Sequence, residues 1–158
     1  MEQEYNYKII TIDSSNANYK SSNIFNFYIN LDEPLRNVYK INIITILADV
    51  PSTTSLQPLD PINIRLNDYE RLISKKGTNN LYYFDSLIVE NLISSRITIK
   101  NDYNTTDNIY HLNPMEPQLS RFEIKLYDKN NDIITTSMIT RFVMKIGIYY
   151  SNKKTTRI

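Results

Sequence analysis

Between Phe25 and Leu31 every second residue is apolar: Phe25, Phe27, Ile29 and Leu31 alternate with Asn26, Tyr28 and Asn30. A period of two puts the first set on one side of an extended chain and the second on the other, as in a strand with one face on a core and one toward water. Ahead of it, Ile9 to Asp13 reads as a short strand that runs into the polar stretch Asp13-Ser14-Ser15-Asn16. Behind it come a polar link from Asp32 to Asn37, containing Pro34, and a long apolar run from Val38 to Val50 closed by Pro51. In that run Ile41, Ile43 and Leu47 alternate with Ile44, Ile46 and Ala48, so both faces are apolar and a central strand is predicted.

The rest of the chain continues in the same style. Gln57 to Pro61 is a loop holding Pro58 and Pro61, followed by a strand in which Ile62, Ile64 and Leu66 alternate with Asn63, Arg65 and Asn67. Asp68 to Lys76 is ambiguous, because Tyr69, Leu72 and Ile73 have helical spacing in a piece too short for a confident helix. Gly77 to Asn80 reads as a turn, Leu81 to Glu90 and Arg96 to Lys100 as strands, and Asn101 to Asn108 as a loop. A short strand, Ile109 to Asn113, is expected to stop before Pro114 and Pro117. The closing hairpin is clear: Phe122, Ile124 and Leu126 alternate with Glu123, Lys125 and Tyr127. Asp128 to Asp132 then turns the chain into a strand carrying Phe142, Met144, Ile146 and Ile148 on one side. Eight or nine short strands with turn signals between them predict an all-β, antiparallel β-sandwich, and specifically a single eight-stranded jelly roll.

At 158 residues the chain is one ordinary domain, 1–158, ending in a short basic tail, 152–158. There is no cysteine, which rules out disulfides and thiolate metal sites. The amino-terminal residues carry Glu2, Glu4 and Lys8 where a signal peptide needs an apolar run. The most apolar window, Ile41 to Val50, is broken by Asn42 and Asp49 and is far short of the roughly 20 residues a spanning helix needs. A soluble protein, not inserted in a membrane, is expected. The net charge of +1 offers no global field for nucleic acid, and the tail's Lys153, Lys154 and Arg157 lack interleaved aromatic residues for base stacking. Tyrosine is frequent at buried interface centres, yet the 13 tyrosines accompany abundant Asn, Ile and Lys, all of which share adenine- and thymine-rich codons.

Candidate chemistry is sparse. His111 is the only histidine, whereas metal sites of the zinc or facial-triad iron kind need several nitrogen or sulfur ligands. Without a second histidine or any cysteine, the many Ser and Thr residues lack the usual base of a nucleophilic triad. The only glycines are Gly77 and Gly147, and Gly77 precedes Thr78-Asn79-Asn80 rather than the Lys-Ser pair of a phosphate-cradling loop. Asp102-x-Asn104-x-x-Asp107 matches the opening of a calcium loop but lacks its glycine and terminal glutamate. Asn104-Thr105-Thr106 is a formal glycosylation triplet, of consequence only on a secretory route. Carboxylate pairs such as Asp13 with Asp49, or Glu116 with Glu123, have no sequence signal placing them in one cleft. No catalytic, cofactor-binding or metal-ligating residue is assigned, and an enzyme is not expected.

The order Ile12-Asp13-Ser14-Ser15-Asn16, Phe25-x-Phe27-x-Ile29-x-Leu31, Pro34-Leu35-x-Asn37-Val38, Ile41-x-Ile43 and Val50-Pro51 resembles the amino-terminal half of the small single-jelly-roll capsid proteins of giant DNA viruses and their virophages. Leu119-Ser120-x-Phe122-x-Ile124-x-Leu126-Tyr127-Asp128, with Phe142-x-Met144-x-Ile146, is similar to the carboxy-terminal hairpin of the same group. In one respect the chain departs from that group, which often carries arginines just after the Asp-Ser pair where Ser15, Asn16, Ala17 and Asn18 are neutral. The resemblance implies a structural virion protein located in the capsid shell and assembled in the host cytoplasm. The vertex penton subunit is favoured by the single compact domain, and a minor capsid or cement protein beneath the capsomers is the alternative. Its partners would be copies of itself, as a homopentamer, and other capsid proteins, with no small-molecule substrate and no nucleic acid. A jelly-roll ligand binder of lectin-like kind is the competing class, disfavoured by the absence of tryptophan and the scarcity of glycine.

Overall fold

The computed structural model describes residues 6–16, 18–19, 25–70, 72–76, 78–89, 91–93, 96–100 and 110–151. These form β1 (Asn6–Asp13), β2 (Asn18–Tyr19), β3 (Asn26–Asp49), β4 (Pro61–Leu66), β5 (Leu72–Lys76), β6 (Asn79–Tyr83), β7 (Asp85–Ile88), β8 (Asn91–Ile93), β9 (Arg96–Lys100), β10 (Tyr110–Tyr127) and β11 (Arg141–Tyr150). A single 3-10 turn, Ser14–Asn16, follows β1, and the described residues contain no α-helix. The protein is all-β and every strand pairing is antiparallel.

Nine strands form one hydrogen-bonded sheet, and β5 with β6 forms a separate hairpin. Two long strands, β3 and β10, make the large sheet possible because each changes partners along its length. The first part of β3 pairs with β10, from Asn26 opposite Lys125 to Asn30 opposite Arg121. Its last part lies between β11 and β9, with Asp49 opposite both Arg141 and Arg96. The sheet therefore has one half ordered β1-β11-β3-β9 and another ordered β3-β10-β4-β7. The halves face each other across the core: the Phe142 ring on β11 lies 5.9 Å from Phe25 and 5.7 Å from Phe27, centroid to centroid. Ile12, Phe122, Ile124, Met144, Ile146 and Ile148 are fully buried in the same cluster. Burying each such side chain stabilises the fold by roughly 1.5–3 kcal/mol.

Four sequence expectations are corrected by this arrangement. The stretch Asp32 to Asn37 is not a link between strands but part of β3. Leu31 to Pro34 bulge out opposite the single residue Ser120, so the proline occupies a place where no ladder bond is required of its missing N–H. Likewise β10 does not end before Pro114 and Pro117. A second register shift, between His111 and Glu116, takes up Pro114, and the Asn113–Pro114 peptide is cis. The single strand expected from Leu81 to Glu90 is broken at Phe84, leaving β6 in the hairpin and β7 beside β4 in the large sheet. Finally, the count of eight strands gives way to eleven among the described residues.

The long apolar run of β3 is central, as its composition predicts, but its two faces are not equivalent. Ile41 and Ile43 are buried, and so are Ile46, Ala48 and Val50, while Leu47 is 43% exposed. Lys145 opposes Thr45 and Ile146 opposes Ile43, so Ile44 has no partner on β11. One extra residue in a strand reverses which parity points inward, and this bulge keeps the core continuous along a strand whose sequence is apolar on both sides. Of the ambiguous segment Asp68 to Lys76, Leu72–Lys76 is strand β5 while Tyr69 bridges back to Leu66, and Arg96–Lys100 is strand β9. The turn glycine Gly77, the loop Asn101 to Asn108 and the basic tail lie outside the described residues.

Candidate interaction surface

The Asp13-Ser14-Ser15 stretch is an internal clamp. The Asp13 carboxylate accepts hydrogen bonds from Arg141 Nε (3.1 Å), from Arg141 Nη2, and from the Ser15 amide (3.0 Å) and hydroxyl (2.8 Å). The Phe142 amide donates to Ser14 Oγ at 3.0 Å, tying the turn to β11. The Arg141 guanidinium, followed by the Ser15 donors, holds the Asp13 carboxyl well below the usual carboxylate range. Arg141 stands opposite Asp49 on β3 and also feels that carboxylate. Asp13 thus pairs with a guanidinium that stands opposite Asp49, an arrangement suited to closing a corner rather than to acid-base chemistry.

The second carboxylate pair, Glu116 and Glu123, does meet in one groove of about 340 Å³, together with Asp68, Tyr69 and Arg121. Arg121 is occupied by Glu123 at 2.9 Å, and the Asn67 side chain bridges the backbones of Glu123 and Arg121. Tyr69 hydroxyl donates to Glu116 at 3.5 Å, and burial pushes its phenol up to about 12. A phenol so held stays protonated at neutral pH, donating to Glu116 while its oxygen accepts from the Asn67 side chain. His111 lies exposed on β10, opposite Lys40. Among the described residues no three His, Cys, Asp or Glu side chains gather to hold a metal ion. The calcium-like run Asp102 to Asp107 and the Asn104 triplet lie outside the described residues.

What the surface does present is aromatic and aliphatic. On the outer side of β1, β11 and β3, Tyr7 lies 4.7 Å from Tyr149, Tyr149 lies 6.1 Å from Tyr39, and Lys40 Nζ sits 5.7 Å from the last two rings. Tyr7 and Ile9 of this face are 48% and 51% exposed. Gly147 lies beneath it, and a Cβ there would approach the Tyr7 hydroxyl to 2.7 Å, so only glycine allows that ring its place. On the other half, Arg65 stacks on Tyr127 and Tyr83, and Arg121 on Tyr28. The turn before β4 exposes Leu59 by 80%, and neighbouring Ile88 is 46% exposed. A groove of about 440 Å³ with mixed polar and apolar walls, Lys8, Asp32 and Glu33 beside Ile10, Ile29 and Leu31, opens between β1 and the bulge of β3.

No protein-family model matches this chain, and no curated protein matches it as a relative.

The tyrosine face and Leu59 are what sequence reasoning did not single out. Thirteen tyrosines spread along the chain carry no sign of which ones converge. For Leu59 a signal existed: Gln57-Pro58-Leu59-Asp60 is a proline turn with a leucine at its third position, where glycine or asparagine is usual.

Proposed function

We propose that the protein is a structural virion subunit, a single jelly roll acting as the vertex penton of a large icosahedral virus shell by packing against copies of itself and other capsid proteins. The observation that carries this reading is the nesting of the strand pairs. With the two parts of β3 counted separately, eight segments pair from the outside inward: β1 with β11, the first part of β3 with β10, its last part with β9, and β4 with β7. One long hairpin rolled into two layers would give this nesting, which supports the jelly-roll reading. The short strands β2, β5, β6 and β8 are additions to it.

Fold alone does not assign function. Two further observations support association as the protein's work. The resemblance to viral single-jelly-roll capsid proteins covers both ends of the chain, and the surface exposes Tyr7, Ile9, Leu47, Leu59 and Ile88, each by more than two-fifths. Tyr7 with Ile9 on β1, and Leu59 beside Ile88, form two small exposed apolar spots that are consistent with contact surfaces. Among the described residues no nucleophile is seen beside a base, and the Asp13–Arg141 pair holds a corner shut. We therefore read the protein as a shell component and not as an enzyme.

The deciding experiment is the mass of the purified protein by light scattering and native mass spectrometry, alongside a glycan-binding screen. A stable closed pentamer without glycan affinity is the expected result. A monomer that binds sugar would replace this reading with the lectin-like one, and localisation beneath the facets of an intact particle would replace the vertex by a minor capsid position. His111→Ala should assemble as the parent does, and loss of a measurable catalytic activity in that variant would refute the non-enzymatic assignment.

A further inference from the structure

Strand β1 is a free edge. Its register with β11 is unbroken from Asn6 opposite Tyr150 to Asp13 opposite Val143, and it has no other strand partner among the described residues. Which of its backbone groups face outward follows from β11, because successive residues of an antiparallel strand turn their N–H and C=O to opposite neighbours. Ser151 N donates to Arg36 O of β3, and Phe142 N to Ser14 Oγ just beyond β1. Odd residues of β11 therefore bond toward β3 and even ones toward β1. Lys8, Ile10 and Ile12 oppose the even residues Ile148, Ile146 and Met144 and bond to them. Tyr7, Ile9 and Thr11 are left with their N–H and C=O groups pointing away from the sheet.

Such an edge is a template for another strand, and folded chains guard theirs with proline, bulges or charge. The facing edge is guarded: the first part of β3 bulges from Leu31 to Pro34, carries Asp32 and Glu33 there, and is paired by β2 at Phe27 and Tyr28. By contrast β1 has no proline and no bulge, and its outward row is uncharged, with Ile9 51% and Tyr7 48% exposed. Free groups on every second residue of a straight strand fix the occupant's conformation, because only an extended backbone can pair with them. The row also fits itself. A two-fold axis at Ile9 sets Ile9 opposite Ile9, and Tyr7 opposite Thr11, of a second copy. Each outward residue then meets an outward residue, and every such pair exchanges two hydrogen bonds. In that register Lys8 faces Ile10 of the other copy, so no charge stands directly opposite its like.

We propose that β1 pairs antiparallel with β1 of a second copy about a two-fold at Ile9, joining two sheets into one. The contact is independent of the ring proposed above, since a two-fold joins two molecules, or two rings, and closes no pentamer. The chain has no cysteine, so single-cysteine variants report the contact without background. Residues opposed in a bonded pair have Cα atoms about 5.5 Å apart, within disulfide reach. Under oxidised glutathione, Ile9→Cys should become a disulfide-linked dimer, and mixed Tyr7→Cys and Thr11→Cys proteins should give a dimer of one each. Thr11→Cys alone should stay unlinked, because two copies of that position lie about 13 Å apart along the paired strands. At high concentration the parent should run at twice the mass of Ile9→Lys, whose like charges oppose each other across the axis, while both melt at the same temperature. Equal masses together with no Ile9→Cys dimer, or linking of Thr11→Cys as fast as of Ile9→Cys, would overturn the pairing and leave the shell reading standing. A parent that never forms a pentamer while Ile9→Cys links would do the reverse.

Discussion

Phe27 illustrates how one residue commits the chain to its core. It is fully buried, and its ring packs on Phe142 of the facing half at 5.7 Å. Phe27→Asp would remove the ring and leave a carboxyl without a partner there, a loss of the same order as the roughly 5–15 kcal/mol of stability typical of a domain. The variant should be insoluble or lack the β signature in circular dichroism, and a soluble, cooperatively melting Phe27→Asp protein would contradict the core assignment. Asp13 shows a charge used differently. Its carboxyl titrates near 4 in an unfolded chain and lower in the folded one, because Arg141 and Ser15 bond the charged form. The pair therefore stabilises fully above about pH 4, and that stabilisation drains away as the pH falls through the lower, folded value. Asp13→Asn should melt about 1–3 °C below the parent at pH 7, and the gap should persist to pH 4 and close in stronger acid. A gap independent of pH would remove Asp13 from the clamp.

At the level of elements, β3 is the most instructive. Its alternation from Phe25 to Leu31 was readable because a one-sided strand writes its period directly into the sequence. The continuation through Pro34 was not readable, because whether a proline breaks a strand depends on whether its partner asks for an N–H at that place. Here Ser120 faces a four-residue bulge and does not. Asn37, at φ 50°, lets the strand turn between its two sets of partners, and its side chain donates to Ser151 O at 3.1 Å. The bulge at Ile44 matters most. Deleting Ile44 would remove the extra residue and leave strict alternation, with Ile41, Ile43, Ile46, Ala48 and Val50 all still on the inward face and Leu47 outward. A chain lacking Ile44 should therefore keep its fold, with only a modest shift of the urea midpoint, and a collapse of that midpoint would contradict the bulge assignment. Ile44→Val, which keeps the residue count, should shift that midpoint only slightly.

For the whole molecule, the partner-sharing of β3 and β10 predicts where stability concentrates. The last part of β3 is flanked by β11 and β9, and the late part of β10 by β3 and β4, so their amides are bonded on both sides within the core layers. Hairpin β5–β6 forms its own two-stranded sheet, a unit of marginal stability. Native-state hydrogen exchange should therefore open the hairpin at least about 100-fold faster than Ile146 or Ile124, with β3, β10 and β11 exchanging together near the global limit. Uniform protection across all strands would argue against this hierarchy.

The all-β class, most strand positions and the inward parity of Phe27, Phe122, Phe142 and Met144 were determined by sequence alone, because each follows from interactions with immediate neighbours along an extended chain. The poverty of nitrogen and sulfur ligands, one histidine and no cysteine, was equally plain, since it requires only counting. Which strands pair, where Ile44 reverses the pattern, why Asp13 finds Arg141 and which edge carries Leu59 were decided by tertiary structure. Each of those depends on residues tens to more than a hundred positions apart, and contacts between strands distant in sequence leave no local period to read.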